Sequence, residues 1–252
     1  MSLAAAASLG WPFALVLGRV SGVVLTAPFL GAEVIPVRAR VALTVAISFA
    51  LTLALPYAAA PSAPIVALAS ELLLGAAAGL VVRIAVGALE LAGELTGLQM
   101  GLGFGHTLDP LLESQGSVVS QAFSLAAGAL FFATNGHLQV VRALADSLKA
   151  VPAGTVTFDP SWATTLVDAA ATMFVTGLRI AAPLAFVLLT SQLAFAMLGR
   201  IMPQLNAWGL GFLITIGLGL TGLAVFAPSL TAEVRDLLGA AIGDAAHLAA
   251  GQ

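Results

Sequence analysis

The feature that most limits what this chain can become is the absence of charge over four long stretches. No Asp, Glu, Lys or Arg occurs from Val41 to Ser70, from Ser114 to Val141, from Ile180 to Gly199 or from Ile201 to Ala232. Each stretch reaches or exceeds the ~20 residues that carry a helix across a bilayer. Of the 252 residues, 60% are hydrophobic and 8% charged, whereas soluble domains carry roughly 25% charged residues. A soluble α/β domain rich in Ala and Leu would still need polar outer faces on its helices. Here the charges stand singly between apolar runs, which predicts an all-α, polytopic membrane protein.

Six apolar stretches can be marked, at roughly 11–30, 41–58, 66–98, 117–134, 166–198 and 207–231. Strands are disfavoured, because Ala and Leu dominate and alternation is missing. The connectors hold the expected breakers: Pro36, three prolines between Pro56 and Pro64, Asp109-Pro110, Asn135-Gly136, Pro152-Ala153-Gly154 and Pro203. A weakly amphipathic piece reaches to Lys149. Arg19, the first basic residue, lies inside the first apolar segment, which argues against a cleavable signal peptide.

Counting Lys and Arg on alternate sides of six simple spans sets Arg38, Arg40 and Arg200 against Arg142, Lys149 and Arg235. This tie gives no orientation by the positive-inside rule. The segments 66–98 and 166–198 are also longer than a bilayer requires. Either partners decide the orientation, or the helices are not simple crossings.

Chemistry excludes several classes. A net charge of −3 with no basic cluster argues against nucleic acid as a partner. With no cysteine there is neither disulfide nor thiolate zinc site. His106, His137 and His247 lack metal-ligand spacing, and no phosphate-binding glycine loop or nucleophile elbow is present. No metal, no cofactor and no enzymatic activity are expected.

The segment Glu71 to Gly105 says most. On a helix, Arg83, Glu90 and Glu94 fall within about 40° of one another, and Gly79, Gly87 and Gly97 share their stripe. Such a face does not suit lipid, because intramembrane charges are expensive and small residues let another backbone approach. The three charges are expected to form a buried network. They fit structural ion pairs within or between subunits, a proton or ion relay, or a substrate-facing surface. Gly93, Gly97, Gly101 and Gly105 recur at every fourth position and run into His106-Thr107-Leu108-Asp109-Pro110, so a tightly packed helix edge leading into a mobile loop is expected. A second small-residue series comprises Gly209, Gly211, Gly217, Gly219 and Gly222 with Thr215 and Thr221. Asp168, Thr172 and Arg179 share a face, with Pro183 expected to kink the helix beyond them. Arg19 lies among Gly18, Ser21 and Gly22, an interface-like setting.

An ordered set of strings then carries a resemblance. Ala27-Pro28-Phe29 leads to Ile35-Pro36-Val37-Arg38-Ala39-Arg40, followed by Glu71-Leu72-Leu73-Leu74-Gly75. Next come Glu90-Leu91-Ala92-Gly93-Glu94, Gln99-Met100-Gly101-Leu102, Asp109-Pro110, Asn135-Gly136-His137, Pro203-Gln204-Leu205-Asn206 and Gly211-Phe212. From about residue 10 to 235 this resembles the FliR family of flagellar biosynthetic proteins, the R subunits of the bacterial type III export gate.

The resemblance implies a FliP-like helical unit over residues 1–165 and a FliQ-like helical hairpin over 166–252. Together they would assemble with FliP and FliQ homologues into a helical cone, alongside FlhB and FlhA homologues. Unfolded flagellar proteins would be the cargo, crossing the bacterial inner membrane at the flagellar basal body, with membrane lipid around the assembly. The family's plug corresponds to about 99–117, so Gln99, Met100, Leu102, Phe104 and Leu108 become the candidate pore closure. Phe104 matches an aromatic position of that loop, and Thr107 stands where some relatives carry a second aromatic. Apolar closures of this kind exclude ions by dewetting. A virulence secretion system, or an ion- or proton-coupled secondary transporter using Arg83, Glu90 and Glu94, are the alternative uses of the same residues.

Overall fold

The computed structural model describes residues 3–29, 35–55, 63–102, 117–202 and 207–250. Among these residues there are helices and turns and no strand. The helices are α1 (Leu3–Thr26), α2 (Val37–Ala54), α3 (Pro64–Gln99), α4 (Val118–Ala133), α5 (Gly136–Ala150), α6 (Ser161–Ile201) and α7 (Ala207–Ala249).

Three of them have 36, 41 and 43 residues. At ~1.5 Å per residue each exceeds the ~30 Å of a bilayer's hydrocarbon. Among the described residues, four helices are long and apolar enough to cross a membrane, or five if the α4–α5 pair is one broken span. The first helix, α1, has 24 residues and carries Pro12 and Arg19 within it. The largest difference from the sequence pattern is at the end of α7, which continues past residue 231 to Ala249. Charges at Glu233, Arg235 and Asp236 interrupt the apolar run there. The 3.6-residue period nevertheless persists in Val234, Leu238, Ala241, Ile242, Ala245, Leu248 and Ala249, all of them buried. Pro183 lies within a continuous α6.

The chain divides into two units. The first takes Met1–Ala85, Phe132–Ala171 and Leu237–Gln252. In it α2 packs on α1 and turns its hydroxyls inward. Thr44, Ser48 and Thr52 are buried, and each bonds to the carbonyl four residues earlier at 2.7–2.8 Å, while Val41, Phe49 and Leu53 face outward. This apolar-outside arrangement is the reverse of a water-soluble helix. Asn135, at φ 57°, holds a left-handed turn immediately before α5.

The second unit takes Val86–Phe131 and Thr172–Asp236. Its core is Met100, Val119, Leu184 and Leu188, with Phe123, Ile216 and Leu223 packed around them.

Candidate functional site

Two places gather the polar and glycine residues, one in each unit. In the second unit, the C-terminal stretch of α3 lies against α4 through its glycines. A Cβ at Gly93 would meet the Ser120 backbone at 2.5 Å, and one at Gly97 would meet the Ser117 side chain. Close approach lets polar groups cross between the helices. The Ser117 amide donates to Glu94 Oε2 at 2.9 Å, and Ser120 Oγ donates to the Glu90 carbonyl at 3.1 Å. At Gly87 the neighbour is the Met173 side chain of α6, at 3.0 Å.

The helix stops by its own hydrogen bonding. Leu102 N–H reaches back to Gly97 O and Gly101 N–H to Leu98 O, both at 3.0 Å, and Gly101 has φ 78°. This is a Schellman termination, which needs a residue at ease in the left-handed region. Gly101, expected among the packing glycines, therefore ends the helix instead. The last carbonyl of α3, that of Gln99, accepts a bond from Gln192 Nε2 of α6 at 2.7 Å. Gln99 Oε1 is buried without a hydrogen-bond partner among the described residues.

Met100 is fully buried. Its thioether fills the space that a side chain at Gly219 of α7 would need, 2.6 Å from an added Cβ. Leu102 is half-buried against the same core. Phe104, Leu108 and Gly105, and with them most of the 99–117 segment, lie outside the described residues.

The chain by itself does not bury Arg83, Glu90 and Glu94 as one network. Arg83 and Glu90 are exposed and Glu94 is half-buried. Among the described residues no carboxylate pairs with Arg83. Two turns separate it from Glu90, and Glu94 is already engaged by Ser117. Asp168, Thr172 and Arg179 are likewise exposed on α6.

The buried ion pair lies instead in the first unit, where the sequence offered two unconnected hints. Arg19 Nε donates to Glu71 Oε2 at 2.6 Å, with 1% and 0% of the side chains exposed. Arg19 Nη1 donates to Ser147 Oγ at 2.9 Å and to Val151 O at 3.1 Å. Glu71 Oε1 accepts the Gly154 amide at 2.8 Å, and Ser147 Oγ donates to Ala249 O at 2.6 Å. One pair thus gathers α1, α3, α5, the turn after α5 and the end of α7. Glycines allow the approach: a Cβ at Gly22 would strike the Leu72 carbonyl, one at Gly75 the Arg19 carbonyl, and one at Gly79 the Thr26 hydroxyl. An apolar cavity of about 30 Å³ borders Arg19, Gly75, Gly79, Leu144 and Ile242. The available signal was a charge beside a glycine on each helix, Gly18-Arg19 and Glu71 four residues before Gly75. Among the described residues no group of His, Asp and Glu is placed to hold a metal ion.

Residues 11–241 match the family described as Bacterial export proteins, family 1. The flagellar biosynthetic protein FliR of Escherichia coli (strain K12) is 32% identical over 221 residues, covering 86% of this chain and 83% of that protein. The FliR of Aquifex aeolicus (strain VF5) is 31% identical over 222 residues, 86% of each chain. That of Pectobacterium carotovorum subsp. carotovorum is 37% identical over 164 residues, 62% of this chain and 63% of the relative.

Proposed function

Because this chain belongs to the family of bacterial export proteins, family 1, together with the flagellar FliR proteins, we propose that it is the pore-forming R subunit of the flagellar type III export gate. The family is one of flagellar export components and not a known enzyme family, and the apolar helices make this member an integral membrane protein. In the proposed role it assembles with FliP and FliQ homologues, and with FlhA and FlhB homologues, in the inner membrane at the basal body. Residues 1–165 act as a FliP-like unit and 166–252 as a FliQ-like hairpin. Unfolded flagellar proteins pass through the assembled cone.

The observation that carries this reading is the anchored end of α3. Closing a channel against ions while leaving it able to admit extended polypeptide calls for an apolar constriction on a backbone that starts from a fixed point. Met100 in its socket, the Gln192 bond to Gln99 and the Gly101 termination supply that fixed point. The segment from Leu102 through Phe104 and Leu108 then forms the closure. Arg83 and Glu90, exposed in the single chain, find their partners on neighbouring subunits, as do Asp168 and Arg179.

Co-expression with FliP and FliQ homologues tests the assembly. One stable complex is expected on purification, whereas a lone chain that stays monodisperse and fully stable in detergent would sink the reading. Planar-bilayer conductance of that complex tests the closure. Substitutions at Leu102, Phe104 and Leu108 should raise the resting ion leak, and unchanged conductance across all of them removes the plug assignment.

A further inference from the structure

The buried ion pair of the first unit leaves one group unanswered. Arg19 Nε is taken by Glu71, and Nη1 donates to Ser147 Oγ and to the Val151 carbonyl. Nη2 carries two further N–H donors. It has no partner among the described residues, and 1% of the side chain is exposed. A buried donor of this kind calls for an acceptor.

Arg19 also stands on the wall of the cavity of about 30 Å³ between α1, α3, α5 and the end of α7. All of the lining residues belong to the first unit. The rest of the wall is glycine or apolar, as at Gly75, Val23, Val82, Leu144 and Ile242. Arg19 is thus the one polar side chain that borders this space, and Nη2 is the part of its guanidinium not already engaged.

A polar backbone group lies close by. The described amides of α7 end at Ala250, which reaches back to Ala246 O and His247 O. Ala249 O turns instead to Ser147 Oγ, which donates to it at 2.6 Å. The same hydroxyl accepts from Arg19 Nη1 at 2.9 Å. The Ala249 carbonyl therefore lies within two hydrogen-bond lengths of the guanidinium, and a carbonyl has a second lone pair to offer. Ala249 is itself on the cavity wall.

Size and charge select the occupant. One water needs about 10–15 Å³, whereas a cavity that admits benzene measures ~150 Å³, so this space suits a molecule of water size. Glu71 already balances Arg19, and an anion would be buried here without a countercharge, which is costly. The occupant is neutral, accepts from an N–H and donates to a carbonyl. Water does all three.

We propose that the cavity beside Arg19 is a water-binding site, with one molecule held between Arg19 Nη2 and the Ala249 carbonyl. It completes the hydrogen bonding of the guanidinium and joins the end of α7 to α1 in parallel with Ser147. The buried pair and the last turn of α7 are then held by one shared, partly hydrated set of bonds.

Microsecond X-ray pulses generate hydroxyl radicals from bound water where it sits, and the side chains around it become oxidised. The full chain, purified with its co-expressed partners, is irradiated and then digested for mass spectrometry. Leu144 and Ile242, on the cavity wall, should be oxidised several-fold more than Leu184 and Leu188, which are also buried, in the packed core of the second unit. Ala245→Val adds two methyl groups to the wall and should bring Leu144 and Ile242 down to the Leu188 level. Oxidation at the Leu188 level in the parent protein overturns the proposal, and that comparison needs no variant to fold. A lipid retained in native mass spectra would then name a hydrocarbon occupant. High oxidation that Ala245→Val leaves unchanged would put the water elsewhere and overturns the proposal as well.

Discussion

Arg19 Nε lies 2.6 Å from Glu71 Oε2, and both side chains are buried. Fifty-two residues separate them; Arg19 Nη1 bonds to Ser147 and Val151 and Glu71 Oε1 to Gly154, while Arg19 Nη2 is buried without a partner among the described residues. A charge pair in such a place is held by its surroundings as much as by Coulomb attraction. Removing one member leaves the other buried without compensation, which costs about 3–5 kcal/mol.

Arg19→Ala and Glu71→Ala should therefore each lower the thermal unfolding midpoint in detergent sharply. The double variant Arg19→Met with Glu71→Leu should recover much of that loss, because two apolar side chains of similar volume leave no orphan charge. If the double variant unfolds at the temperature of the worse single variant, the pair is not the source of the stability.

Gly22 and Gly75 mark where α1 and α3 touch backbone to backbone. Valine at either position is expected to separate the helices and reduce the yield of folded protein by several-fold. Gly217 has nothing within 4 Å of an added Cβ, so Gly217→Ala should be neutral or stabilising by up to ~1 kcal/mol, the helix-propensity difference. Circular dichroism melts of the three variants make the comparison.

Met100 fills its socket completely. Met100→Ala should cost about 2–5 kcal/mol, as for other large-to-small changes in a core, whereas Met100→Leu should cost less than ~1.5 kcal/mol. Gly219→Leu would compete for the same volume from the opposite side and should mimic the alanine variant. Proteolysis rates of the purified chain would rank the four proteins, and equal rates would discard the socket.

Asn135 holds φ 57° at the break between α4 and α5. Asn135→Gly should leave stability close to that of the parent, since glycine visits this region freely. Asn135→Val should cost about 1–2 kcal/mol through the crowding of its Cβ against the backbone. Chemical denaturation in mild detergent distinguishes them, and indistinguishable midpoints would argue that the left-handed turn relaxes on substitution.

Much of the helix content was legible in the residues. The boundaries of α3 and α4 fall within two residues of the apolar stretches 66–98 and 117–134, because in those segments hydrophobicity and helix coincide. The end of α7 was not legible from hydropathy, since its last turns are amphipathic and carry Glu233, Arg235 and Asp236. The glycine stripe of α3 announced close packing but not against what: Gly79 meets α1, Gly87 meets α6, and Gly93 and Gly97 meet the start of α4. Gly101 belongs to the same four-residue series yet does a different job, which only its positive φ reveals.

The charges divide the same way. Arg83 and Glu90 lie near one another on a helical wheel, and that proximity is a local property of 3.6-residue periodicity. Burial is not local. It depends on where α1 crosses α3, and that crossing is set by the contacts of Gly22 and Gly75 and by the end of α7 reaching Ser147. By itself, then, the sequence determined an all-helical chain that avoids water, where its charge-free lengths lie, and which family it belongs to. Only the tertiary structure decided that Arg19 and Glu71 become the buried pair and that Met100 is locked between α6 and α7. Contacts between residues dozens of positions apart are selected by packing geometry, which periodicity along one helix does not contain.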